Sequence, residues 1–202
     1  MPEKVQVLVF LCTDGVPEQT EPTMSQTFAT SIIAAGFNIK GLKTWTSRDG
    51  GGYQYTLLHN GKAAATVTNE GNGGPTDIHW MSMDWKGRLS HGADATPAQI
   101  KKATAQYAVT KAAKDAFDAF VAKAPTQYAH GLAFTVDAGW VAEELANIAQ
   151  MRKALRSKTI FRVDGAEYQI KSAYNGVVAA YIKGKYPTAI ILNEEPAYAV
   201  AA

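Results

Sequence analysis

The chain has 202 residues, of which 47% are hydrophobic and 19% charged, and its formal net charge is +2. That balance excludes a disordered chain, which carries fewer apolar residues and more net charge. The 17 glycines lack a three-residue period, which excludes a collagen-like repeat. The length suits one α+β domain over 1–202 with a core that needs no staples. Its natural subdivision is a β-rich part, 1–95, and a part 96–202 holding a helical pair and a basic β/α segment. One cysteine, Cys12, permits no internal disulfide and fits a reducing, cytoplasmic compartment.

In chain order, Val5 to Leu11 is the longest strongly apolar run. It falls short of the roughly 20 residues of a membrane helix. Glu3 and Lys4 cancel the basic start of a secretory signal, so the run reads as a buried strand and no membrane partner is expected. Residues 13–22 read as a loop. Thr23 to Gln26 has capping-box spacing, and the helix that follows should stop at Gly36.

Residues 39–81 read as an antiparallel meander. Lys40 to Ser47, Tyr53 to His59 and Lys62 to Asn69 are strands, and Thr76 to Met81 is a fourth. Asn60-Gly61 is a strong two-residue hairpin signal. Residues 82–96 read as irregular. Thr96-Pro97-Ala98-Gln99 opens a long helix, about 97–123, with Ile100, Ala103, Tyr107, Phe117, Phe120 and Val121 mostly on one side. A second long helix, about 138–157, carries the stripe Val141, Leu145, Ile148, Met151 and Leu155. From Thr159 a hairpin turns at Asp164-Gly165, a short helix spans about 176–186, and an apolar run covers Ala189 to Leu192. The expected fold packs the meander against the two long helices, with N- and C-terminal strands extending the same sheet.

Two glycine loops, Gly50 to Gly52 and Gly71 to Gly74, can offer backbone N–H groups to an anion. Both connect strands and match no nucleotide fingerprint, so hairpin turns are the plainer reading. Asp77 and His79 point to one side of a strand, an arrangement that can orient an imidazole; Asp84, His59 and His91 are potential companions. No His-x-x-x-His, His-Glu-x-x-His or Cys-x-x-Cys spacing is present, so no metal and no cofactor are expected. Cys12 reads as an inert thiol and Glu143-Glu144 as solvated residues early in a helix.

Charge is the clearest asymmetry. Arg152 to Tyr186 holds eight basic residues against Asp164 and Glu167, a segment charge of +6, so the remainder carries −4. Five aromatics interleave. Cations attract phosphate and aromatic faces stack on bases. Arg152, Arg156, Lys158, Arg162 and Lys171 are therefore the candidate charge-bearing residues, and Tyr168 and Tyr174 the candidate stacking ones. A solvated rim is the competing reading, and Phe161 and Val163 should face away from Arg162 on the hairpin.

Gly52-Tyr53-Gln54-Tyr55-Thr56-Leu57-Leu58-His59-Asn60-Gly61-Lys62 with Gly73-Gly74, and Lys185-Tyr186-Pro187 with Ile191-Leu192-Asn193-Glu194, resemble small uncharacterised proteins carried by bacteriophages and bacterial mobile elements. The named residues make up about a tenth of the chain. The resemblance implies an accessory, anti-defence role in a host cytoplasm, neutralising a host component, and carries no site residues.

Three functional expectations follow. The favoured one is a non-catalytic protein binding an anionic small molecule, nucleotide-derived signal or nucleic acid. The second is a protein–protein interaction module inhibiting a host enzyme, with Trp45, Trp80 or Trp85 as anchors. The third is an enzyme using His79 with Asp77 or Asp84. Alanine-rich helices and several tryptophans are compatible with a homo-dimer.

Overall fold

The computed structural model describes residues 23–129 and 132–199. The expected strand at 5–11, the loop at 13–22 and Cys12 lie outside the described residues, as do the side chains of the capping box at Thr23 and Gln26. In chain order the elements are α1 (Thr23–Ala34), β1 (Phe37–Thr46), β2 (Gly51–His59), β3 (Lys62–Asn69), β4 (Asp77–Trp80), α2 (Pro97–Lys123), β5 (Gln127–Ala129), β6 (Leu132–Phe134), α3 (Ala138–Leu155), β7 (Thr159–Val163), β8 (Ala166–Ile170), α4 (Gly176–Lys185) and β9 (Ile190–Ile191), followed by a 3₁₀ turn at Leu192–Glu194. No helix among the described residues is long and apolar enough to cross a membrane. The chain divides into two compact units, one spanning 31–147 and one containing 148–199 together with the start of α1.

In the first unit β1–β4 form an antiparallel meander in sequential order. Asn60 and Gly61 both take positive φ, 49° and 75°, as a tight hairpin of this kind requires. Alternation sends Tyr53, Tyr55, Leu57, Ala65 and Val67 to one face, where all five are buried. α2 covers that face. Its Phe117 meets Phe37 and Trp80 edge-on, with ring centroids 5.3 and 5.9 Å apart. Tyr55 Oη donates to Ala142 O of α3 at 2.8 Å, and burial raises its pKa well above the ordinary phenol range.

Thr96 caps α2 with the full capping box, its side chain and that of Gln99 each taking the other's backbone N–H. The apolar side expected of α2 is only partly used. Thr110, Ala113 and Phe117 are buried, whereas Ile100 at the helix start is exposed. The polar member of that trio has a reason to be there. β3 bulges at Ala64, because Leu57 pairs with Ala65 while Leu58 pairs with Ala63. Two α2 side chains meet the carbonyls at the bulge. Gln106 Nε2 donates to Ala63 O at 2.8 Å, and Thr110 Oγ1 donates to Ala64 O at 3.3 Å. Replacing Gln106 by Ala leaves the Ala63 carbonyl without its donor, so Gln106→Ala should lower stability by about 1 kcal/mol in urea melts. An unchanged midpoint would show that water takes over the bond.

Of the stripe expected on α3, Val141, Leu145, Ile148 and Leu155 are buried and Met151 is half-buried. A short hairpin, β5 paired with β6, precedes it, where the sequence pattern predicts no strand.

The C-terminal strands do not extend the meander. β7 sits between β8 and β9 in a separate three-stranded sheet. Phe161, Ile170 and Ile191 from that sheet bury against Ile182 of α4, with Tyr168 and Tyr186 packed beside them. These strands close a core of their own because each supplies one large apolar side chain to the same face. Asn175 caps α4 by accepting from the N–H groups of Val177 and Val178.

Candidate functional site

The candidate residues on the β7–β8 hairpin of the C-terminal unit do not share one face. Register pairs Arg162 with Glu167 and Phe161 with Tyr168. Arg162 therefore lies on one face of the hairpin and Tyr168 on the other, as alternation predicts. On the first face the Arg162 guanidinium reaches Glu167 at 3.3 Å, and Lys158 Nζ donates to Gln169 Oε1 at 3.0 Å. On the second, Tyr168 stacks on Phe161 and on Tyr186, with centroids 5.6 and 6.2 Å apart. Tyr168 is thus a half-buried member of an aromatic stack.

Arg152 Nε donates to Ala197 O at 2.9 Å, and burial pulls its pKa down. Tyr174 donates to Glu194, which also receives Lys183 at 2.9 Å. The Tyr174 hydroxyl and then the Lys183 ammonium hold the Glu194 carboxyl below the usual carboxylate range. Arg156 and Lys171 are exposed, as is Lys153. Of the seven candidate residues, Arg156 and Lys171 are the pair turned to solvent; the other five contact protein groups.

In the first unit, the sheet face opposite α2 is polar. Two rows cross all four strands: Lys40, Thr56, Thr66 and His79, then Lys43, Gln54, Thr68 and Asp77. Gln54 Nε2 donates to Thr68 Oγ1 at 3.2 Å within the second row. Asp77 and His79 do share this face, both exposed, but each stands opposite a threonine. The other histidines do not join them. His59 stacks on Phe37 on the helix-covered face, with centroids 4.8 Å apart, and His91 Nδ1 lies 3.1 Å from Gly92 O in the following loop. Asp84 is taken up by Arg88. No group of three or more His, Cys, Asp or Glu side chains able to hold a metal occurs among the described residues.

The glycine loops pack on each other. A Cβ on Gly71 would stand 2.6 Å from the Gly52 nitrogen, and one on Gly52 would stand 2.1 Å from Trp45 Nε1. Trp45 lies across Gly52 and donates to Glu70 O at 3.3 Å, while Ser47 Oγ donates to Gly71 O. Asn69 Oδ1 accepts the Gly71 N–H at 2.8 Å. Gly52 and Gly71 are thus buried against protein, while Gly50, Gly51, Gly73 and Gly74 stay exposed, which suits the plainer reading of these loops as strand connections.

The tryptophans separate clearly. Trp80 packs on Phe117, with Lys114 Nζ 5.9 Å from its ring centre. Trp45 is 37% exposed and Trp85 is 88% exposed. Trp85 stands on a turn inside the segment read as irregular. Met83 bridges Leu89, the Asp84 N–H donates to Arg88 O at 2.8 Å, and the Gly87 N–H donates to Asp84 O at 2.9 Å. Asp84 Oδ1 accepts the N–H groups of Lys86 and Arg88, and the Arg88 guanidinium lies 2.8 Å from Oδ2. The Arg88 backbone N–H, then its side chain, keep the Asp84 pKa low. Tyr107 Oη on α2 donates to Gly87 O at 2.9 Å and clamps the turn. Beside it lies a cavity of about 450 Å³ lined by Ser82, Ser90, His91, Asp94, Gln99 and Ala103. The pattern of apolar residues does not reveal this turn, although Asp84 and Gly87 at its first and fourth positions carry its signature. No family model, curated protein or solved structure matches this chain.

Proposed function

We propose that the chain is a non-catalytic binding protein for an anionic ligand. The reading is carried by the charge left over in the C-terminal unit. Residues 148–199 hold eight basic and four acidic side chains, a net +4, and Lys153, Arg156 and Lys171 remain exposed after Glu167 and Glu194 have taken their partners. Exposed cations of this kind gain most from phosphate, whose capture also releases counterions. The likeness to phage accessory proteins would make the ligand a host component.

The test is fluorescence anisotropy or calorimetry at low salt with three probes: a nucleoside triphosphate, inorganic polyphosphate and a labelled single-stranded oligonucleotide. Binding of at least one, weakening steeply with salt, is the expected result. Arg156→Glu combined with Lys171→Glu should weaken it about tenfold and flatten the salt slope by roughly two. If none of the three binds, the reading fails.

A further inference from the structure

Among the described residues Trp85 is the most exposed of the large hydrophobic side chains, and it stands on a turn whose neighbouring residues are pinned by hydrogen bonds. A tryptophan side chain can bury roughly 150–250 Å² of surface. Here that gain is forgone at a turn position that tolerates most residues. The restraint is not made by the indole. Asp84, Gly87, Arg88 and Tyr107 hold the turn, and Met83, 7% exposed, anchors its base. The turn that carries the ring is therefore ordered before binding, which lowers the cost of loop ordering.

Its surroundings select the chemistry of what it meets. Between residues 82 and 102, Lys86, Arg88, Lys101 and Lys102 stand against Asp84 and Asp94, and Asp84 is closed into the turn. All four cations are exposed. Lys86 Nζ lies 4.6 Å from the centre of the indole and occupies one of its faces. Insertion of the whole ring into an apolar protein pocket would strip that ammonium of water, which is costly without a partner charge. Stacking of a planar base on the opposite face leaves Lys86 hydrated and within reach of the adjoining phosphate.

We infer that Trp85 is a stacking platform for single-stranded nucleic acid, with Lys86 meeting its phosphates while Arg88 stays paired with Asp84. This rests on the anionic-ligand reading for the charge of the ligand and adds a contact within residues 31–147, apart from Lys153, Arg156 and Lys171. The experiment measures anisotropy of a labelled, mixed-sequence single-stranded oligonucleotide with the full chain. Trp85→Ala should weaken binding by roughly 5- to 100-fold, the range that loss of one base–aromatic stack produces. Trp85→Phe should retain most of the affinity. Because the side chain is exposed, the thermal midpoint should not change, and oligonucleotide addition should quench indole emission in the parent more than in Trp85→Phe.

Equal affinity of the parent and Trp85→Ala overturns the inference while leaving anion binding intact. Binding of polyphosphate or nucleotide without any binding of oligonucleotide overturns it as well, again without touching the broader reading. Failure of all three probes removes both.

Discussion

Phe117→Ala is expected to cost about 3–5 kcal/mol, the range for deleting a buried aromatic ring from a packed core. The ring is 1% exposed and touches the sheet at both of its edges, through Phe37 on β1 and Trp80 on β4. Its loss opens a cavity that backbone-bonded strands cannot close, and it removes two edge-to-face contacts. Ile100→Ala, on the same helix, provides the comparison. Ile100 is exposed, so its truncation should stay within about 0.5 kcal/mol of the parent. Chemical denaturation of both variants measures the contrast. Similar costs would mean that α2 contributes through helix propensity and not through Phe117.

The second large effect lies in the glycine loops. Gly71 has φ of +72°, where an L side chain costs about 1–2 kcal/mol. Its missing Cβ would also stand 2.6 Å from the Gly52 nitrogen and 2.7 Å from the Gly51 carbonyl carbon, both backbone atoms with no flexible end to yield. Gly71→Ala should therefore cost about 3 kcal/mol or more, since backbone must move as well. Gly73→Ala separates the two contributions. Gly73 has φ of +78° with nothing within 4 Å of the added methyl, so it should show the conformational cost alone. Equal destabilisation of the two variants would mean that the loops separate readily and that their contact is incidental.

The parts of the fold that are legible in the sequence are those fixed by local chemistry. Asn60-Gly61 marks a turn that needs positive φ twice, and Asp164-Gly165 does the same, with φ of 49° and 81°. Thr96 with Gln99 spells out a helix start whose hydrogen bonds are made between neighbours. The spacing of Val141, Leu145, Ile148 and Leu155 specifies a buried face whatever lies opposite. The rest depends on distant partners. β5 and β6 are three residues each, too short to display alternation. That β9 pairs with β7, and that these strands form their own sheet, is decided by how Phe161, Ile170 and Ile191 close on Ile182.

The candidate site divides along the same line. Alternation alone is enough to put Arg162 and Tyr168 on opposite faces of a hairpin. The engagement of Arg152 with the Ala197 carbonyl spans 45 residues and leaves no local signature. The two-residue spacing of Asp77 and His79 puts them on one face, but the threonines opposite them come from register. Exposure of Trp85 is the least legible feature, since an aromatic residue in an irregular stretch suits a core and a surface alike.

The two margins of the meander are treated differently. β1 is ten residues long and, among the described residues, has no partner strand on its outer side, a length at which a strand edge invites another chain. Its pairing register slips between Lys40 and Lys43, two exposed lysines on either side of the irregularity. The opposite margin, β4, is four residues long and carries Asp77 and His79. A kinked, positively charged rim on one side and a short polar one on the other deny a second sheet a continuous ladder. Among the described residues, neither margin of this sheet thus offers a long, regular and uncharged edge for strand-to-strand growth, and Asp77 and His79 place polar groups on the shorter one.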